Sequence, residues 1–189
     1  MSATHPVFVL SKEPILWPVK WFQPQEDGPE VEVGLMFRFK RPMATDRKAY
    51  LEQKKARAEQ EARDLEERFA EPLRQMTQAQ RDAIDPSLLS PGMLKAANTP
   101  APDKKLTDAE RAARLDALFD INAWRNAWWL GWKAGAIAAP DDQPLDPDKP
   151  EHRAYLLEGI APLEEAINRT LDEIMLGGRQ KNLLPPLAS

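Results

Sequence analysis

The chain has 189 residues and a near-balanced charge, 26 Lys+Arg against 30 Asp+Glu, for a formal net charge of -4. It lacks the concentrated basic surplus of a nucleic-acid-binding footprint. With no cysteine it can form neither disulfides nor thiolate chemistry, and two histidines, His5 and His152, leave almost no imidazole for metal clusters or acid–base triads. Composition therefore argues against an enzyme, a cofactor or a metal centre, and for a protein working through its surface. Proline is abundant (18) and glycine scarce (8), which predicts short elements with frequent breaks. No apolar run approaches the roughly 20 residues of a membrane span. The opening MSATHPVF has no basic-then-apolar leader pattern, so the expectation is a cytoplasmic protein that does not engage membranes.

In chain order, residues 1–42 read as a small antiparallel sheet. Val7 to Leu10 and Ile15 to Phe22 are short β-forming runs, and Pro18 confines the second to an edge or a bulge. A turn follows at Asp27-Gly28-Pro29. Val31 to Lys40 then alternates, with Leu35, Phe37 and Phe39 on one face and Met36, Arg38 and Lys40 on the other. Such a sheet needs a covering element.

Residues 43–71 predict a highly charged helix. Asp46 to Ala70 holds seven basic and seven acidic side chains and neither glycine nor proline. Its apolar positions Leu51, Ala58, Ala62, Leu65 and Phe69 form a thin stripe, the pattern of a coiled-coil seam rather than of a deeply packed face. Glu71-Pro72 is expected to end or kink it. Residues 72–105 are punctuated by five prolines. They read as a proline-rich linker with one short helix near Leu73 to Ile84, mobile or ordered only on assembly.

Residues 106–178 read as a helical domain. Thr107-Asp108-Ala109-Glu110 is a capping box opening a helix from Asp108 to about Lys133. After a proline-punctuated loop, Asp148 and Glu151 have the spacing of a second box. Pro162 restarts a helix with Leu163, Ile167, Leu171, Ile174 and Met175 along one face, stopped by Gly177-Gly178. Residues 179–189 are a tail. The fold class is mainly α, a helical domain with a small N-terminal antiparallel β-sheet and a proline-rich linker.

The tryptophans are the leading candidates for function. Of six in the chain, Trp124, Trp128, Trp129 and Trp132 fall on one expected helix. Each helical residue turns the chain by about 100°, so four indoles cannot all enter one groove. Some must be core. Trp129 or Trp132 is the best candidate for a surface that binds another chain, where tryptophan is enriched. The acidic loop Asp141, Asp142, Asp146 and Asp148 has prolines and no glycine where a calcium loop needs its sharp turn, and reads as solvated helix-capping acids. Adjacent carboxylates such as Glu66-Glu67 do not face one another on a helix and make poor dyads.

Three segments together resemble the tail assembly chaperones of long-tailed bacteriophages and related prophages. They are Trp17-Pro18-Val19 amid the N-terminal strands, the tryptophan-rich helix passing into GWKAGAIAAPDDQPL, and a terminal helix ending in GGRQKN. The likeness covers about the first forty and last eighty residues, and the segment between Thr45 and Lys105 is longer than the pattern requires. The resemblance implies a non-enzymatic role in the bacterial host cytoplasm: binding the tape measure protein and recruiting tail tube subunits, with weak self-association and absence from the mature virion. It also implies a longer product made by ribosomal frameshifting. Gln180-Lys181-Asn182 can be encoded CAA AAA AAC, which contains a slippery run. The alternatives are a structural tail or neck protein of the particle, or a bacterial helical adaptor.

Overall fold

The computed structural model describes residues 13–25, 28–101 and 106–177. The Val7 to Leu10 strand, His5 and the tail beyond Gly177 lie outside them. The protein is mainly α, with a three-stranded antiparallel sheet. The chain divides into two compact units, residues 1–48 with 121–189, and residues 49–120. The N-terminal sheet and the last helices thus belong to one unit rather than to separate regions.

In the first unit, β1 (Ile15–Gln25) pairs antiparallel with β2 (Gly28–Phe39). The register sets Trp17 opposite Phe37, Val19 opposite Leu35 and Trp21 opposite Val33. Because side chains alternate across a strand, all six point to one face. On it Val19, Trp21, Phe37 and Phe39 are buried. Pro18 is tolerated because β1 is an edge strand. The inner face is covered by α7 (Ala161–Met175), whose Leu163, Ile167, Leu171, Ile174 and Met175 are all buried, as their spacing predicts. Gly177 ends this helix in the left-handed region at φ 77, the conformation that favours glycine.

The third strand comes from an unexpected place. The single helix expected from Asp108 to Lys133 is in fact α4 (Asp108–Leu118), α5 (Ile121–Trp128) and β3 (Trp129–Trp132), with β3 paired to β2. The first break falls where the two units meet in sequence. Phe119 turns extended at φ -157, its ring packs edge-on against Tyr50 at 5.1 Å, and its carbonyl accepts from Arg57 Nη1 at 2.7 Å. That carbonyl would otherwise serve the next helical turn. At the second break, the Trp128 carbonyl accepts from the Lys40 amide at 2.9 Å, drawing the chain onto the sheet.

After β3 the chain makes a tight loop in which Ala138 bridges Pro144. It enters α6 (Pro150–Gly159) with Pro150 in the first turn and Lys149 at the cap. The Asp148–Glu151 box does not form. Proline at the first helical position moves the cap one residue on, and the Asp148 amide instead donates to Asp146 Oδ1 at 2.9 Å.

In the second unit, α1 (Ala44–Gln75), which begins at the end of the first, runs through Pro72 instead of stopping there. It is followed by α2 (Gln78–Asp82), a 3₁₀ turn at Pro86–Leu88, α3 (Pro91–Ala97) and α4. Of the segment expected to be a linker, residues 72–101 are therefore folded, and residues 102–105 lie outside the described ones. Ala70, Leu73 and Ala97 form its small core with Met76, Ile84, Leu89 and Met93 packed around them. Arg74 is its polar pin. It grips Glu67 through two bonds of 2.6 and 3.0 Å and donates to the carbonyls of Ala96 at 2.6 Å and Thr99 at 3.0 Å, the C-terminal end of α3. This bidentate pair holds the Glu67 carboxyl below its ordinary range against the opposing effect of burial. The Thr107–Glu110 capping box forms as expected and opens α4.

Candidate partner-binding surface

The structure divides the four candidate tryptophans two and two. Trp124 and Trp128 lie one turn apart on α5, half-buried, with rings stacked at 6.0 Å and 22°. Trp129 and Trp132 are only 2 % and 0 % exposed. Both pack edge-on against Phe37, at 5.8 and 6.5 Å, and Trp132 Nε1 donates to the Leu145 carbonyl at 3.2 Å. The expectation that one of these two faces solvent is thereby corrected: both are core.

The physical reason is the strand. Residues three apart on a regular strand point to opposite faces, yet Trp129 and Trp132 both meet Phe37. A bulge reconciles them. Phe37 pairs with Trp132 and Phe39 with Trp129, so β3 carries an extra residue there. Gly131 lies in the bulge at φ 87, and a Cβ on it would come within 2.8 Å of Pro147 Cβ. Glycine alone fits both the backbone and the space. The helical-wheel conflict among the four indoles is resolved by changing secondary structure between Trp128 and Trp129.

The surface that remains for a partner includes one that spacing did not single out. On the face of the sheet opposite the core, Leu16, Phe22 and Met36 are 47 %, 55 % and 42 % exposed. Pro18 lies beside Met36 in the register. Lys20 and Glu32 form an ion pair of 2.6 Å on the same face. The apolar side chains thus stand on a platform held rigid from behind by Trp21, Phe37 and α7. The run ILWPVKWF is apolar at almost every position, so only the pairing with β2 reveals which of its residues face outward.

Chemistry is sparse. His152 Nδ1 accepts from the Asp146 amide at 2.8 Å and so pins the acidic loop to α6. Asp141 Oδ1 and Asp146 Oδ1 accept from the amides two residues on, at 3.3 and 2.9 Å. The loop acids thus shape the turn rather than cap α6. Arg125, 7 % exposed, is paired with Glu164. Among the described residues, no group of three or more His, Asp or Glu side chains is arranged to hold a metal ion, and no helix is long and apolar enough to cross a membrane.

No family model, curated protein or solved structure matches the chain.

Proposed function

We propose that the protein is a non-enzymatic tail assembly chaperone of the long-tailed phage type. It binds the tape measure protein, helps recruit tail tube subunits and associates weakly with itself. It works in the bacterial cytoplasm and is left out of the finished particle. The observation that carries this reading is how the resembling segments are grouped. Trp17-Pro18-Val19 lies on β1, GWKAGAIAAPDDQPL runs through the end of β3 and its loop, and the terminal helix is α7. All three fall in one compact unit, whereas most of the charged and proline-rich stretch outside the family pattern lies in the other.

The physical requirement also fits. A protein that holds an aggregation-prone helical client needs exposed apolar anchors on a rigid support. The outer sheet face supplies Leu16, Phe22 and Met36, and the half-buried Trp124–Trp128 stack offers a second aromatic contact.

The test is co-expression with the long helical reading frame encoded next to this chain. The expected result is that the long protein stays in the soluble fraction and copurifies, and that Phe22→Asp with Met36→Asp lowers the yield at least tenfold without changing the circular dichroism. Recovery of the chain as a stoichiometric part of purified particles would overturn the chaperone role. A gene neighbourhood with no such reading frame would overturn the assignment altogether.

A further inference from the structure

Tyr50 near the start of α1 and Ala70 and Leu73 near its end are buried. Over the central turns between them, the side that α1 turns inward is polar. Arg57 reaches Asp116 at 2.8 Å and the Phe119 carbonyl at 2.7 Å, Gln60 is 6 % exposed and donates to Asp64 at 2.7 Å, and Glu67 grips Arg74. The apolar stripe lies on the opposite side, since Gln60 is about 180° around the helix from Leu51. Ala58 and Ala62 are exposed, and Leu51, Leu65 and Phe69 are 41 %, 51 % and 51 % exposed. Their spacing is two interleaved heptad series, Leu51-Ala58-Leu65 and Ala62-Phe69, the seam of a two-stranded coil. Beside it, Leu65 and Leu115 border a cleft of about 170 Å³ with Glu61, Asp64, Arg68 and Arg111, room for a side chain entering from a second helix.

We infer that this seam is covered by α1 of a second copy of the chain, parallel and in register. The flanking charges identify the occupant and its direction. One flank carries Glu52, Glu59 and Glu66, a heptad apart, and the other carries Lys54, Glu61 and Arg68. An antiparallel self-pair sets each flank against its own kind, with Glu59 facing Glu59 and Glu52 facing Glu66 of the second copy. A parallel in-register pair crosses the flanks. Lys54 then meets Glu59 of the second copy twice over, and only the Glu61–Glu66 contacts are unfavourable. Lys55 occupies a seam position, its ammonium 3.7 Å from Glu59 of its own helix. A lysine there costs affinity while fixing register, so association is weak and concentration-dependent. The inference supplies a surface for the self-association proposed above. It rests on α1 and not on the identity of the client.

The chain has no cysteine, so single replacements report geometry directly. In the full-length protein under mild oxidation, Ala62→Cys should crosslink to itself, because a disulfide needs Cα atoms within about 7 Å. A mixture of Leu51→Cys and Phe69→Cys chains should give no mixed dimer. Sedimentation equilibrium should show a dimer that Leu65→Asp weakens at least tenfold with unchanged helix content, and that Lys55→Leu tightens roughly tenfold. Three results would overturn the inference: a wild-type chain monomeric at millimolar concentration, efficient Leu51–Phe69 crosslinking, or a dimer indifferent to both Leu65→Asp and Lys55→Leu. Any of these would leave client binding, measured separately, unaffected.

Discussion

Replacing Trp132 with alanine tests the placement of the tryptophans most sharply. Its side chain is fully buried against Phe37 and Trp129, and its indole N–H is bonded to the Leu145 carbonyl. Truncating a buried tryptophan costs about 3–5 kcal/mol through lost transfer energy and the cavity left behind. Losing the hydrogen bond adds about 1 kcal/mol, a total of roughly 4–6 kcal/mol in a domain whose whole stability is about 5–15 kcal/mol. With a urea slope of about 2 kcal/mol per molar, the midpoint should fall by roughly 2–3 M. The assay is favourable because all six tryptophans lie in the first unit, so indole fluorescence follows that unit alone. Trp128→Ala is the control. Half-buried and stacked on Trp124, it should cost on the order of 1–2 kcal/mol. Equal shifts for the two variants would refute the burial argument. A folded Trp132→Ala chain that loses its client would restore Trp132 to the surface.

Three further outcomes are expected. Gly131→Ala should destabilise the first unit by about 1–3 kcal/mol, combining a left-handed φ with a close approach to Pro147. Gly135→Ala, with a similar φ and open space around it, should cost only the backbone part, and equal costs would refute the packing argument. Glu67→Gln should lower the thermal stability at pH 6. Because the folded carboxyl is held below its unfolded value by Arg74, the wild-type advantage is present above the unfolded value and is lost as pH falls through the folded one. A wild-type-to-variant difference that stays constant down to pH 3 would contradict this. Thr107→Ala should remove the cap of α4 at a cost of about 1 kcal/mol, seen as faster amide exchange in its first turn with indole fluorescence unchanged.

Local signals in the sequence match the structure where the structure is decided locally. The Thr107 box and the Gly177 stop depend on hydrogen bonds and backbone geometry within one or two turns, and the residues of the α7 face recur one turn apart, although the sheet they pack on is distant in sequence. The β1–β2 hairpin was legible for the same reason, its strands being neighbours in sequence. The candidate site was legible only in part. Spacing named four tryptophans, yet it favours Trp129 or Trp132 for the outward role, the two that the sheet buries, and of the Leu16, Phe22 and Met36 face it placed only Met36.

What the sequence by itself determined, then, is the class of the protein: mainly helical, with a small antiparallel sheet, and with the starts of α1, α4 and α7 and the stop of α7 in their places. What only the tertiary structure decided are features set by residues far apart in the chain. A run with good helical pattern became α5 followed by β3 because β2 offered an open edge and Lys40 a free amide to the Trp128 carbonyl. The proline-rich stretch folded because Arg74 could reach the end of α3. The charged helix turned its apolar stripe outward because, on its other side, Arg57 reaches Asp116 and the Phe119 carbonyl and Tyr50 packs against the Phe119 ring. A periodicity fixes which residues share a face, but the direction of that face is set by the partners that distant parts of the chain bring to it.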